Sequence, residues 1–136
     1  MKIYRRTPGI TASLRRATDD DILEMELRYP DDRLLPTMSA QESWVLTVGE
    51  RKDAKEIGFI EYFVRDSELV IFGLWVAPDH RGNGYGTMMI ELAEATERPD
   101  IVRAIVTPQS TKFYEKRGFA VDVGHHVVAR VSDSLR

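Results

Sequence analysis

The stretch "GLWVAPDHRGNGYGT", residues 73–87, sets Arg81 and three glycines, Gly82, Gly84 and Gly86, between an apolar run and a segment with helical spacing. Backbone N–H groups at the start of a helix lack partners inside it, and with the helix dipole they attract an anion. Glycine lets a phosphate approach the main chain because no Cβ stands in the way. Arg81 adds a fixed positive charge at the edge of the loop. Arg81, Gly82, Asn83, Gly84, Tyr85, Gly86 and Thr87 are therefore read as a phosphate or pyrophosphate cradle. No lysine follows the last glycine, so this is not the nucleotide P-loop. Thr87 stands where the dinucleotide motif needs its third glycine.

The bulk numbers narrow the chemistry around that cradle. At 136 residues the chain is expected to form a single domain, 1–136. With no cysteine, thiolate nucleophiles, thiolate zinc sites and disulfides are excluded. A net charge of −3 gives no support to nucleic-acid binding, and no run approaches the roughly 18 apolar residues of a membrane span. The basic positions Arg5, Arg6, Arg15 and Arg16 read as a solvated face. The expected location is the cytoplasm.

Stepping outward from the loop, the segments that must position it alternate in period. "TDDDILEMELRYP" reads as a helix capped by Thr18 or Asp19, with Ile22, Met25 and Leu27 as its apolar stripe and Pro30 as its stop. Strands are expected at 44–49, 56–64 and 68–77, joined by short polar turns as an antiparallel meander. A helix follows the glycines to about Arg98, its apolar positions being Met88, Met89, Leu92, Ala93 and Ala95. A strand at 101–107 should then lie parallel to the earlier one. "STKFYEKRG" gives a short helix with a glycine stop, and two more strands end the chain around 124–126. The expected class is α/β with mixed α+β character, a mostly antiparallel sheet of six to seven strands flanked by about four helices.

In that context "VAPDHRGNGYG" resembles the acetyl-CoA signature of the GCN5-related N-acetyltransferase (GNAT) superfamily, with Arg81, Gly84 and Gly86 in the signature places and Val76 and Pro78 upstream. "FYEKRGF", 113–119, resembles the family's tyrosine helix, and "LRRATDDDILEM" its first strand and helix. The resemblance implies a sheet that splits between the strand at 68–77 and that at 101–107. It implies acetyl-CoA as co-substrate and no metal, with the pyrophosphate on residues 82–87 and the pantetheine arm along Leu74, Trp75 and Val76. It gives Tyr114 the role of acid toward the departing thiolate.

Two departures from the family follow. Thr107 stands where many members carry an asparagine, and the strand "IVRAIV" offers no glutamate base. Glu61, mid-strand in "FIEYF", is the leading base candidate, since burial would raise the pKa of a carboxylate there. Glu68, His125 and His126 are weaker candidates. On the acceptor side, Asp31 and Asp32 would attract a cationic amine.

The function implied is acetyl transfer to a primary amine by direct attack in a ternary complex; the alternative is a non-catalytic acyl-CoA-binding module of the same fold. The expected partners are a small-molecule amine, or a protein or peptide amine, and a second copy of the chain, with neither nucleic acid nor membrane.

Overall fold

A computed structural model of the chain describes residues 2–4, 11–32, 43–49, 54–106, 110–122 and 127–131. Eight strands, three α-helices and one 3-10 turn lie among them. The architecture is the expected mixed, mostly antiparallel sheet with helices. The strand beyond the expected seven is β1, Lys2–Tyr4, which pairs antiparallel with β2, Ala12–Arg16. Two compact units make up the chain, Met1–Glu61 with Gly73–Leu92, and Tyr62–Phe72 with Ala93–Arg136.

In the first unit β2 is followed by α1, Asp19–Arg28. Thr18 caps this helix in both directions. Its Oγ1 accepts from the Asp21 amide at 3.2 Å, and its own amide donates to Asp21 Oδ2 at 2.8 Å. That reciprocal pair satisfies two donors that a helix start otherwise leaves without partners. Asp21 is bound a second time, by Arg15 through two nitrogens at 2.8 and 2.9 Å.

Ile22 and Met25 are buried as the periodicity requires, whereas Leu27 is 75% exposed. The stripe continues instead through Tyr29, which packs on the core just beyond the last helical turn. That core joins Ile22 and Met25 to Val45, Phe59 and Trp75. It lies between α1 and one face of β3, Ser43–Val48, β4, Lys55–Arg65, and β5, Glu68–Val76. The strand order in this unit is β1-β2-β3-β4-β5. On the opposite face Met89 of α2, Tyr85–Glu97, sits over Gly58, where a Cβ would meet its Cε at 3.0 Å.

In the second unit the turn between β4 and β5 consists of Asp66 and Ser67, both at positive φ, 51° and 64°. Two consecutive left-handed residues are the hairpin turn whose twist matches that of the strands. Next to β5 comes β6, Ile101–Ile105, then β8, Val127–Val131, and β7, Ala120–Asp122, at the edge. The β5–β6 pairing is parallel, as expected, and covers only Glu68–Ile71 against Ile101–Ala104. Beyond Ile71 the register gives β5 no partner on β6. Pairing with β6 is therefore confined to the first four residues of β5.

Within α2, Met88, Met89, Leu92 and Ala93 are buried, while Ala95 is exposed and Glu94 takes a buried place. Glu94 forms an ion pair with Arg130 of β8, with both side chains nearly inaccessible. The short helix α3, Thr111–Glu115, ends as predicted at Gly118, φ +86°, where the Phe119 amide returns to the Tyr114 carbonyl at 3.2 Å.

Candidate active site

The end of β5 runs through Ala77 into the 3-10 turn Pro78–His80, and the glycine loop follows at once. Gly82 and Gly84 have φ of +82° and +84°, so both positions favour glycine on conformational grounds, before any ligand is considered. Gly86 is already in the first turn of α2 and is buried. The first bond into the helix runs from the Met88 amide to the Gly84 carbonyl at 3.0 Å. The amides of Tyr85 and Gly86 come before it, at the positive end of a helix of 13 residues.

Two side chains in the loop are occupied differently from the expectation. Arg81 Nε donates to the Val76 carbonyl at 2.8 Å, and a terminal nitrogen meets Asp32 Oδ2 at 2.6 Å. The guanidinium thus ties the end of β5 to the segment after α1. Asn83 Nδ2 donates to the carbonyls of His80 and, more weakly, Arg81, at 3.1 and 3.4 Å. Asn83 shapes the loop from within.

The Arg81–Asp32 pair also engages one of the two aspartates expected on the acceptor side. Asp32 is taken up by an internal cation, with its side chain only 11% exposed. Around the pair lies a cleft of about 500 Å³ lined by Tyr29, Pro30, Asp31, Asp32, Pro78 and Arg81, with Arg28 beside them. Tyr29 donates its hydroxyl to Asp79 at 2.9 Å, and that bond holds the Asp79 carboxyl below its usual range. Neither contact is legible from local pattern, because the partners are 49 and 50 positions apart.

Of the strand residues assigned to the pantetheine arm, Trp75 is a core residue by its side chain, 1% exposed, with its ring 5.7 Å from that of Phe59 and 5.8 Å from Tyr29. Only its main chain could serve a cofactor. Leu74 and Val76 are half-buried on β5. The Ala77 amide, next along, is bonded to the Ile57 carbonyl at 2.8 Å.

Of the base candidates, Glu61 and Glu68 separate cleanly. Glu61 is 3% exposed, so it does not sit on a solvated strand face. Glu68 is held by two nitrogens of Arg103 at 2.8 and 3.2 Å, which lowers its pKa and keeps it ionised as a structural partner. Thr107, Pro108, His125 and His126 lie outside the described residues, as do Arg5 and Arg6.

In the second unit Tyr114 is buried, its ring edge-on to Phe113 at 5.0 Å and to Phe119 at 5.2 Å. Burial pushes the phenol well above its ordinary pKa, and the charge of Arg117 offsets this only in part. A phenol in this state carries its proton throughout the neutral range.

No group of three or more His, Cys, Asp or Glu suited to a metal occurs among the described residues. None of the helices described is long and apolar enough to cross a membrane.

The family model for the acetyltransferase (GNAT) domain matches residues 40–121. No curated protein sequence matches the chain. Among solved structures, a putative N-acetyltransferase from Lactobacillus plantarum superposes with a TM-score of 0.66 at 13% identity, over 91% of this chain and 99% of its own. The PaiA N-acetyltransferase of Thermoplasma acidophilum, solved in complex with coenzyme A, gives 0.63 at 16% identity, over 88% and 98%. N-acetylglutamate synthase of Neisseria gonorrhoeae, complexed with coenzyme A and N-acetyl-glutamate, gives 0.66 at 16% identity, with 89% of this chain covering 35% of that one. These likenesses are likenesses of fold, and the family match spans more than half of the chain. The chain belongs to the GNAT acetyltransferase family, whose general chemistry is acyl transfer.

Proposed function

We propose that this protein moves an acetyl group from acetyl-CoA to a primary amine by direct attack in a ternary complex. One observation carries the reading. The end of β5, past the four residues that pair with β6, leads straight into a loop with two left-handed glycines at the start of α2. That arrangement suits an extended ligand whose amide-bearing arm pairs with a strand and whose pyrophosphate ends at a helix N-terminus.

In this reading the amides of Gly82 to Thr87 hold the pyrophosphate, and the main chain of Leu74, Trp75 and Val76 pairs with the pantetheine arm. Arg81 acts mainly by bracing the loop. The acceptor arrives as an ammonium ion, and Glu61 takes one of its protons. The nitrogen lone pair then forms the bond to the thioester carbon, a second proton leaves nitrogen, and the C–S bond breaks. Sulfur keeps the bonding electrons and takes a proton from Tyr114, which recovers one from solvent. An amide, a thiol and one released proton balance the step. A cytoplasmic location and a cationic amine acceptor, small or on a protein, belong to the same reading.

A second reading is favoured by the near-complete burial of Glu61 and Tyr114: the fold binds acyl-CoA without turning it over. Two measurements separate the readings. CoA at about 100 times its dissociation constant should stabilise the fold by about 2.7 kcal/mol, and NAD should not. Thiol release from acetyl-CoA in the presence of an amine panel then reports turnover. A CoA shift without thiol release would favour the binding module, and no shift with CoA would overturn both.

A further inference from the structure

Glu61 lies in a rung built around it. In the antiparallel register of β3 and β4 its direct neighbour is Ser43, which is fully buried. On the other flank is Gly73 of β5. A Cβ placed on Gly73 would come 2.7 Å from Glu61 Oε1, 3.2 Å from its Cβ and 3.3 Å from its Cδ. The carboxylate side chain therefore lies flat across the main chain of Gly73.

The next rung on the same face is of opposite character. There Val45 stands opposite Phe59, and Phe59 packs on Trp75. Residues two apart on a strand share a face, so Glu61 continues the row of Phe59 and Gly73 that of Trp75. The sheet thus changes from three large residues to serine, glutamate and glycine within one step.

Backbone conformation does not require the glycine. Gly73 is not among the glycines at positive φ. In a strand interior glycine lowers stability relative to alanine and removes packing. The group that excludes a Cβ at position 73 is the carboxylate of Glu61.

We infer that Gly73 and Ser43 are positioning residues for Glu61. They leave the room that seats its carboxylate on β5, one residue before the Leu74–Val76 segment where the acyl donor is proposed to pair. The inference rests on the reading of Glu61 as the base and says what aims that base. A side chain at position 73 would move the carboxylate away from β5 while leaving the glycine loop untouched.

Gly73→Ala, Glu61→Gln, Glu61→Ala and the double variant Gly73→Ala/Glu61→Ala test it in the full chain. Gly73→Ala should lower kcat about 10²-fold, the effect of a misplaced reacting group, with CoA affinity unchanged. The acidic limb of its kcat/KM profile should shift, which loss of packing alone would not cause. It should also lower the melting temperature when Glu61 is present, and less in the Glu61→Ala background, since the 2.7 Å contact with Oε1 is then gone and only that with Cβ at 3.2 Å remains.

Wild-type kcat and pH profile in Gly73→Ala would overturn the inference, and so would equal destabilisation with and without Glu61. Full activity in Glu61→Gln would instead overturn the base reading. The melting cycle would in that case still decide whether Gly73 seats the side chain.

Discussion

Arg81 and Asp32 stand 2.6 Å apart, nitrogen to oxygen, across 49 positions of sequence. The same guanidinium holds the Val76 carbonyl, so one side chain fixes the end of β5 against the segment that follows α1. An arginine expected to face a phosphate is instead bonded to two other groups of the protein at the surface. Its contribution to ligand binding is then chiefly to keep the loop in shape.

Arg81→Lys separates the two roles. A lysine retains the charge but cannot present two directed donors from one planar group. If Arg81 is a brace, the unliganded Lys variant should lose about 1 kcal/mol, because the pair is partly exposed and one hydrogen bond is lost with it. That amounts to a few degrees in melting temperature. Asp32→Asn should show a similar loss. A Lys variant as stable as wild type, with weakened CoA binding alone, would return Arg81 to the phosphate.

The parts of the fold that local chemistry dictates were readable in advance. The cap of α1 at Thr18, one of the two residues expected there, the short polar turn before β5 and Gly118 as a helix stop each follow from residue types within a few positions, and the parallel β5–β6 pairing follows from the strand–helix–strand order. Tyr29 replaced Leu27 on the apolar stripe because the helix ends at Arg28 and its C-terminal capping residue turns inward. What stayed hidden was long-range pairing. Nothing near Glu68 announces Arg103, 35 positions away, or near Asp32 announces Arg81. The glycine of the Glu61 seat was in plain view, but its meaning depends on which residue of β4 lies beside it, and side-chain alternation excludes a one-residue slip but not a two-residue one.

The left-handed geometry of Gly84 changes how the glycine loop should be tested. Valine at φ +84° is strained wherever the phosphate goes, so Gly84→Val should lower unliganded stability by about 1–3 kcal/mol. Asparagine accepts that conformation far more readily. Gly84→Asn should melt close to wild type yet bind CoA markedly more weakly in an isothermal titration, because its Cβ intrudes on the main-chain cradle. Wild-type affinity in the Asn variant would mean that Gly84 serves the turn alone.

Asp21 links stability to acid. Its hydrogen bonds to Arg15, and the Thr18 groups beside it, hold its carboxyl at about 2, against an ordinary value of 3.8. A carboxylate with a depressed folded-state pKa stabilises the fold above its unfolded pKa and loses that contribution as pH falls through the folded one. The side chain is 13% exposed, so screening is modest and the share should be about 2 kcal/mol. Urea denaturation from pH 7 down to pH 2 should show wild type losing most of this share below about pH 4. Asp21→Asn should start less stable and decline less steeply. Parallel curves for the two proteins would refute the linkage.

Tyr114 tests catalysis at a single atom. Tyr114→Phe keeps the edge-on contacts to Phe113 and Phe119 and removes only the hydroxyl. If the phenol protonates the departing thiolate, the interaction lost is one made in the transition state. The turnover number should then fall about 10²-fold, while CoA affinity stays near wild type. Burial raises the phenol's pKa, so it remains a loaded acid well above neutral pH and should not produce an alkaline limb in the working range. The pH profile of the variant should therefore be lowered as a whole and keep its shape. If Tyr114→Phe turns over like wild type at saturating amine, the tyrosine is a packing residue of α3, and water protonates the thiolate.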